Sequence, residues 1–506
     1  MKILIINPPF YRLQGESLIH YPPGCCNVAA TLEAAGHQPL IYNADYDPRK
    51  KTILGNTNHI NIEALFKQNE RYIERLHDDQ DPVWQEIRNY LRNYNPDLLI
   101  VSVFNTTMTA GNRIAGMAKA MNPRIKTAFE GFANRGLHCA IDPSRYGDFS
   151  VMDFALRKEP DETVVELVQA IQEAKTDFRA IKGLSWKNGQ GETVHNAERE
   201  FIEDLDRLPF PARHRLDRYE EIPPHCFQGI YGSRGCPFPC VFCGCQTSMG
   251  YKPRMRSAKH MLSEIEYVHK RFRTRYFYIC DDIFFMNKER AQEFCRGLLD
   301  KKLPVYWSAQ TRAEMADDET MALARKAGCQ HVAVGVEVGN PRVREIINKK
   351  NTVDDVRQCA RVLHRNNLRM VAFCIVGFPW EGKQEIEDTV NLVREIKPYI
   401  VYPYMPTPAA GTELVNMLEQ KNPGALTRFR DQCHIDSAVL ISQRMSPEEK
   451  KAVVTKAMQE FIRINKRNLL ADILARPGFY LALANDMDFF RRPGLLREYL
   501  TDYFGK

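Results

Sequence analysis

Tyr231-Gly-Ser-Arg-Gly235 runs directly into Cys236-Pro-Phe-Pro-Cys240-Val-Phe-Cys243, and the rest of the chain is read outward from this stretch. Three thiols at this spacing can wrap three corners of one 4Fe–4S cube and leave its fourth iron without a protein ligand. Most iron–sulfur proteins supply four cysteines, so an open iron points to chemistry rather than electron storage. A structural zinc site asks for four ligands, commonly as two separated pairs, and no second close Cys/His pair follows Cys243. Cys245 reads as a buried or spare thiol. Cys280, Cys295, Cys329, Cys359 and Cys374 stand singly in apolar or helical patterns and read as core.

Around this loop, strand patterns at 227–231, 275–281, 304–310, 331–336, 369–376 and 399–402 alternate with helical patterns at 258–271, 288–301, 317–327, 352–366 and 383–396. Six βα units imply a central partial (β/α)6 barrel over 224–420. Its site belongs at the C-terminal ends of the strands, and the cysteine loop leaves the end of the first one. Upstream, strands at 2–6, 39–42, 98–104 and 126–129 alternate with helices near 25–35 and 111–120. A charged insertion lies at about 46–95. The pattern argues for a Rossmann-like doubly wound parallel sheet over 1–140. Residues 141–223 read as a Pro-rich bridge with a helix at 161–173 and a β meander at 183–195. Residues 421–506 read as a C-terminal helical domain with an aromatic tail (Phe479, Tyr480, Phe489, Phe490, Tyr499, Tyr503, Phe504). The fold class is therefore α/β.

Composition narrows the function classes. The 506 residues are 44% hydrophobic and 26% charged, with a net charge of +7. That mild excess suits anionic substrates or cofactors but carries no basic stripe, so nucleic-acid binding is not expected. The opening apolar run ends at Asn7-Pro-Pro9, too short for a signal peptide. No stretch approaches the roughly 20 apolar residues of a membrane span. Fourteen scattered cysteines do not form a secreted disulfide framework. A cytoplasmic location is expected, and the oligomeric state stays open.

With Phe242 ahead of the third cysteine, and polar strand ends ordered behind it, residues 225–415 resemble the radical SAM enzymes. In that family the amino and carboxylate groups of S-adenosyl-L-methionine chelate the open iron, and a 5′-deoxyadenosyl radical results. The resemblance implies that Asp282, in Asp281-Asp282, holds the methionine amino group. It implies that Arg312 clamps a carboxylate, that Ser308 or Gln310 reaches the ribose, and that Glu337 lies in a ligand-facing Gly335-Val-Glu-Val-Gly339 turn. Phe242 would stack near the adenine, and the backbone at Val376 would lie against it.

Asn7-Pro-Pro9, Tyr21-Pro-Pro-Gly24, Ala34-Ala-Gly-His37 and Arg157-Lys-Glu-Pro-Asp-Glu162 resemble the cobalamin-binding domain that precedes many such barrels. A doubly wound sheet binds beyond the carboxyl ends of its strands. The resemblance places cobalamin against Pro8, Pro9, Pro23, Gly24, Ser102, Asn105, Thr106, Thr107 and Gly131. The Asp-x-His-x-x-Gly motif that gives a histidine to cobalt is absent, since Asp47 is followed by Pro48 and Arg49. Asn105 or Thr106 is then expected near the lower face. The usual Gly-Gly-x-His turn reads Glu130-Gly-Phe-Ala133. His20 and His37 read as surface or packing residues, and Cys25-Cys26 as packing.

The implied activity is C-methylation of an unactivated carbon in a small biosynthetic intermediate, with an external flavodoxin- or ferredoxin-like electron donor. A cyclase or ring-rearranging enzyme with the same cofactors is the alternative. A methylthiotransferase would need three further cluster cysteines near the N-terminus, where only Cys25, Cys26 and Cys139 occur. The C-terminal helices are placed to cap the substrate chamber.

Overall fold

The computed structural model describes residues 1–17, 20–48, 62–131, 150–408, 411–421 and 441–486. Arg49, Phe132, Ala133, Cys139 and the aromatic residues from Phe489 onward lie outside them.

The first sheet contains β1 (Ile3–Asn7), β2 (Leu40–Asn43), β3 (Leu98–Ser102), β4 (Lys126–Glu130), β5 (Phe154–Leu156), β6 (Leu184–Lys187) and β7 (Thr193–His195). Its order is β2-β1-β3-β4-β5-β6-β7. The first five strands are parallel and the last two antiparallel. The near-continuous apolar runs reflect burial on both faces. Ile3, Ile5 and Ile100 pack with Val28 and Leu32 of the helix Pro23–Ala34. Leu4, Ile6 and Val101 point the other way, toward Trp84 and Ile87 of the helix Pro82–Tyr94 and Ile114 of the helix Met108–Met121. Part of the expected bridge thus belongs to this sheet. Residues 154–195 extend it by three strands: the expected meander supplies β6 and β7, and the three-residue β5 is too short to carry a periodic signal of its own.

The second sheet holds β8 (Gly229–Ile230), β11 (Tyr276–Ile279), β12 (Tyr306–Thr311), β13 (Cys329–Glu337), β14 (Arg369–Ile375) and β15 (Ile400–Tyr404) in sequential order. All its pairings are parallel. Phe277, Ile279, Trp307, Val334, Met370 and Ala372 belong to the core packed under the covering helices. A two-residue ribbon, β9 (Ser233–Arg234) with β10 (Arg254–Met255), interrupts the alternation.

Among the described residues, the C-terminal helices line the edge of the second sheet. The helix Pro447–Ala475 lies along β15, the open edge of the sheet, where an uncovered strand would invite further pairing. Asn465 there accepts from the Val401 N–H at 2.7 Å and donates to its carbonyl at 2.9 Å. Phe479 then meets Tyr276, Tyr306 and His331 at the N-terminal ends of the strands, the end opposite the cysteine loop. No helix among the described residues is long and apolar enough to cross a membrane.

Candidate active site

The cysteine loop is held at its base before it is shaped at its tip. It runs between the two strands of the β9–β10 ribbon. Gly235 enters it at φ +88°, and a Cβ there would lie 2.4 Å from the Lys252 carbonyl oxygen, so only glycine fits. Arg234 donates to Asp161 at 3.1 Å, and Arg254 pairs with Glu159 at 2.7 Å, both within the first sheet's domain. Arg254 also donates to the Ile202 and Met249 carbonyls at 2.8 Å each. The Arg157-Lys-Glu-Pro-Asp-Glu162 segment thus anchors the cysteine loop, a role its sequence did not announce.

At the tip, the Val241 N–H donates to the Ile347 carbonyl at 3.1 Å, the Leu414 N–H to the Val241 carbonyl at 2.8 Å, and Asn348 to the Pro239 carbonyl at 3.0 Å. The loop therefore sits over the C-terminal ends of the strands. The three thiols interact electrostatically with one another. The neighbouring Cys245 thiol lowers Cys236, whereas burial pushes Cys243 up to about 12 and raises Cys240. Among the described residues, no three His, Cys, Asp or Glu side chains converge on one ion. A cube asks for something different, one thiolate at each of three corners, and three thiols on a single short loop fit that demand.

Cys245 is not a spare thiol. It is buried with the cysteine loop, donates from Sγ to Asp282 Oδ2 at 2.9 Å, and its N–H points at Cys243 Sγ at 3.5 Å. Asp282 therefore stands beside the thiols, while Asp281 is structural, accepting from the Gly232 N–H at 2.5 Å and from Arg290 at 2.7 Å. Gln310 donates to the Asp281 carbonyl at 3.2 Å.

Two of the expected ligand residues, Ser308 and Arg312, also have protein partners. Ser308 accepts from the Tyr276 hydroxyl at 2.9 Å, beside His331. Arg312 is held by several partners at once. Its Nε pairs with Glu314 at 2.6 Å and Nη2 donates to the Lys349 carbonyl. The guanidinium stacks 3.7 Å over Phe238, and Nη1 faces Cys240 Sγ at 3.8 Å. Its partner Glu314 lies only two residues on. The signal was present in the sequence but indistinguishable from chance.

Glu337 turns the chain at φ 58° and is tied to Lys349 at 2.7 Å. The Val376 N–H donates to the Tyr404 carbonyl at 2.9 Å, and Glu381 closes the following turn by accepting from the Gly377 and Phe378 N–H groups at 2.8 and 2.6 Å. Half-buried Phe242 stands 6.0 Å from the Phe378 ring, so loop and turn meet through aromatic faces.

In the first sheet the named residues cluster at the carboxyl ends of the strands. Pro8 and Pro9 follow β1, and Pro23 and Gly24 open the helix Pro23–Ala34. Ser102 ends β3, with its hydroxyl turned to Cys25. Asn105, Thr106 and Thr107 form a 3-10 turn in which the Thr106 carbonyl accepts from Tyr72 at 2.7 Å and Thr107 Oγ1 from the Phe104 N–H at 2.8 Å. Gly131 follows β4. Asp47 is buried beside Arg12 rather than offered to a ligand. His20 touches solvent, yet the surrounding protein pushes its imidazole down to about 4, with His225 adding like-charge repulsion. The two domains join next to the site. Tyr21 donates to the Gly229 carbonyl at 2.8 Å. The wholly buried Arg213 donates to that same carbonyl at 2.7 Å, to Tyr21 at 2.9 Å and to Glu264 at 2.7 Å.

Residues 230–393 match the radical SAM superfamily, so the centre of the chain is a radical SAM domain, which implies a 4Fe–4S cluster and S-adenosyl-L-methionine. The chain is 25% identical over 425 residues to an uncharacterised methyltransferase of Pyrococcus horikoshii, covering 83% of this chain and 88% of the relative. It is 25% identical over 428 residues to an anaerobic magnesium-protoporphyrin IX monomethyl ester cyclase of Rubrivivax gelatinosus, covering 83% and 70%. Its fold is similar to that of the radical S-adenosylmethionine methyltransferase TsrM from Kitasatospora setae, solved with cobalamin and a 4Fe–4S cluster bound. The TM-score is 0.63 at 15% identity, over 89% of this chain and 81% of that one.

Proposed function

We propose that this chain is a cobalamin-dependent radical SAM enzyme that methylates an unactivated carbon of a small molecule. The single observation that carries the reading is the loop of Cys236, Cys240 and Cys243, anchored to the first domain through Asp161 and Glu159 and lying over the strand ends of the barrel. When bound, the cluster delivers the electron that splits S-adenosyl-L-methionine to a 5′-deoxyadenosyl radical, and cobalamin carries the methyl group. The chain's own contribution is positional. The three cysteines would hold the cube, and Arg312 places a positive charge beside Cys240. The Val376–Glu381 turn and Phe242 would receive the adenine. The strand ends of the first sheet, at Pro8, Pro9, Ser102, Thr106 and Gly131, would receive the corrin. Buried Tyr21, Arg213 and Glu264 keep the two halves in register, which serves a reaction that needs its atoms at about 3–3.5 Å. The reading includes a flavodoxin- or ferredoxin-like donor and a cytoplasmic setting.

Similarity to the Rubrivivax cyclase favours a second reading, ring closure with the same cofactors and no methyl transfer. Product mass separates the two, because methyl transfer adds one methylene unit. The decisive experiment is anaerobic reconstitution with iron, sulfide and hydroxocobalamin. Optical spectra should show both a corrin band and a cluster shoulder. Changing Cys236, Cys240 and Cys243 together to Ala should abolish 5′-deoxyadenosine formation while corrin binding persists. Survival of 5′-deoxyadenosine formation would overturn the assignment.

A further inference from the structure

We infer that the barrel lumen accepts a substrate through a flat aromatic ring, a claim that rests on the function proposed above and names its substrate class. The side chains of a strand alternate between faces, and here the covering helices bury one set. On β15, Val401 and Pro403 are buried while Ile400 and Tyr402 stay partly accessible and Tyr404 is 43% exposed. On β14, Phe373 is the one partly accessible residue of the seven. On β11, Phe277 and Ile279 are fully buried while Tyr276 and Tyr278 are not. The accessible set faces the lumen.

The registers bring these rings together. Phe373 pairs with Tyr402 and Ile375 with Tyr404, and the Phe373 ring lies 6.0 Å from Tyr402 and 5.9 Å from Tyr404. Such centroid distances fall in the range of about 4.5–7 Å at which aromatic rings attract. The lateral neighbours are small, since Gly335 pairs with Phe373 and Ala333 with Val371. The result is an aromatic corner bordered by the Glu337–Lys349 pair, which lies over Gly335. Tyr11 of the first domain is within electrostatic reach of Tyr404, so this corner sits where the two domains meet.

The charged groups around the lumen point the same way. A phosphoryl or carboxylate substrate calls for a cationic fork. Arg312 is paired with Glu314, Lys349 with Glu337 and Arg369 with Asp472. An anionic substrate would have to break one of these pairs, whereas a flat ring would lie against the Phe373, Tyr402 and Tyr404 side chains.

The test uses the anaerobically reconstituted full chain and saturation-transfer NMR with an equimolar mixture of indole, cyclohexylmethanol and methylphosphonate. Indole should receive the strongest transfer. Tyr402→Ala should weaken it about fivefold, and so should the space-conserving Phe373→Leu, which guards against a variant that fails to fold. Transfer to methylphosphonate or cyclohexylmethanol equal to that of indole, or an indole signal that survives when both substitutions are combined, would overturn the inference. Substrate-free 5′-deoxyadenosine formation is read in parallel. Its loss with indole binding intact would sink the radical reading alone, and its presence without indole binding would sink the aromatic inference alone.

Discussion

Arg312 shows how one side chain can change meaning between sequence and structure. At a strand end it reads as an anion clamp, and in the fold it faces Cys240 while also donating to Glu314 and the Lys349 carbonyl. Hydrogen bonds to cluster sulfurs and local charge set cluster potentials. A cation beside a thiolate favours the reduced, more negative cube. Arg312→Gln is therefore expected to lower the cluster midpoint potential by roughly 100 mV, the value of one charge-assisted hydrogen bond for a one-electron couple. Arg312→Lys should retain most of the potential. A redox titration followed by electron paramagnetic resonance reads both, and an unchanged potential in Arg312→Gln would remove this role. The cysteine spacing itself was legible because the motif is local. The place of Cys245 beside Asp282, the anchoring of the loop by Glu159 and Asp161, and the Arg312 pairing depend on contacts that only the folded chain creates.

At the scale of elements, the helices and strands of the barrel were readable almost to the residue, because each buries one face against the core. The expected helix at 383–396 is the helix Lys383–Ile396. The meander at 183–195 and the strand at 227–231 were read as well, but β5, β9 and β10 were not, since two or three residues cannot show a period. Nor was the delivery of Lys450, on the helix Pro447–Ala475, to the turn after β14. Burial raises Glu381 from 4.5 to about 7 and lowers Lys450 to about 8. A carboxyl whose folded pKa is raised contributes stability that is full below the unfolded value and lost as pH rises through the folded one. Glu381→Gln should therefore gain on the native protein by about 3 kcal/mol between pH 4.5 and 7. Denaturant melts of both proteins across that range check it, and a constant difference would refute it. Asp45, also raised to about 7 by burial, has the same sign in both proteins and cancels in the comparison.

For the whole molecule, the doubly wound sheet followed by a parallel barrel was legible from alternation alone, but the way the halves join was not. The joint is polar and fully buried. Arg213 and Glu264 lie 51 residues apart, and Tyr21 lies 192 residues from Arg213, separations across which sequence patterns carry no information. Removing one member of a buried ion pair leaves the other uncompensated. Arg213→Met should cost about 3 kcal/mol and split a single calorimetric unfolding transition into two. One cooperative transition at an unchanged temperature would show that the joint contributes little.

The shared carbonyl of Gly229 also restricts how such proteins can be recombined. Tyr21 comes from the first sheet's domain, Arg213 from the connecting segment, and Glu264 from the first helix of the barrel, yet all three meet around one backbone oxygen or the guanidinium bound to it. A chimera that swaps the leading half for that of a distant cousin inherits one or two members of this trio and strands the rest. Only grafts that move residues 21, 213 and 264 as a set should yield soluble hybrids, so a crossover library would reveal the knot as a block that refuses to be cut.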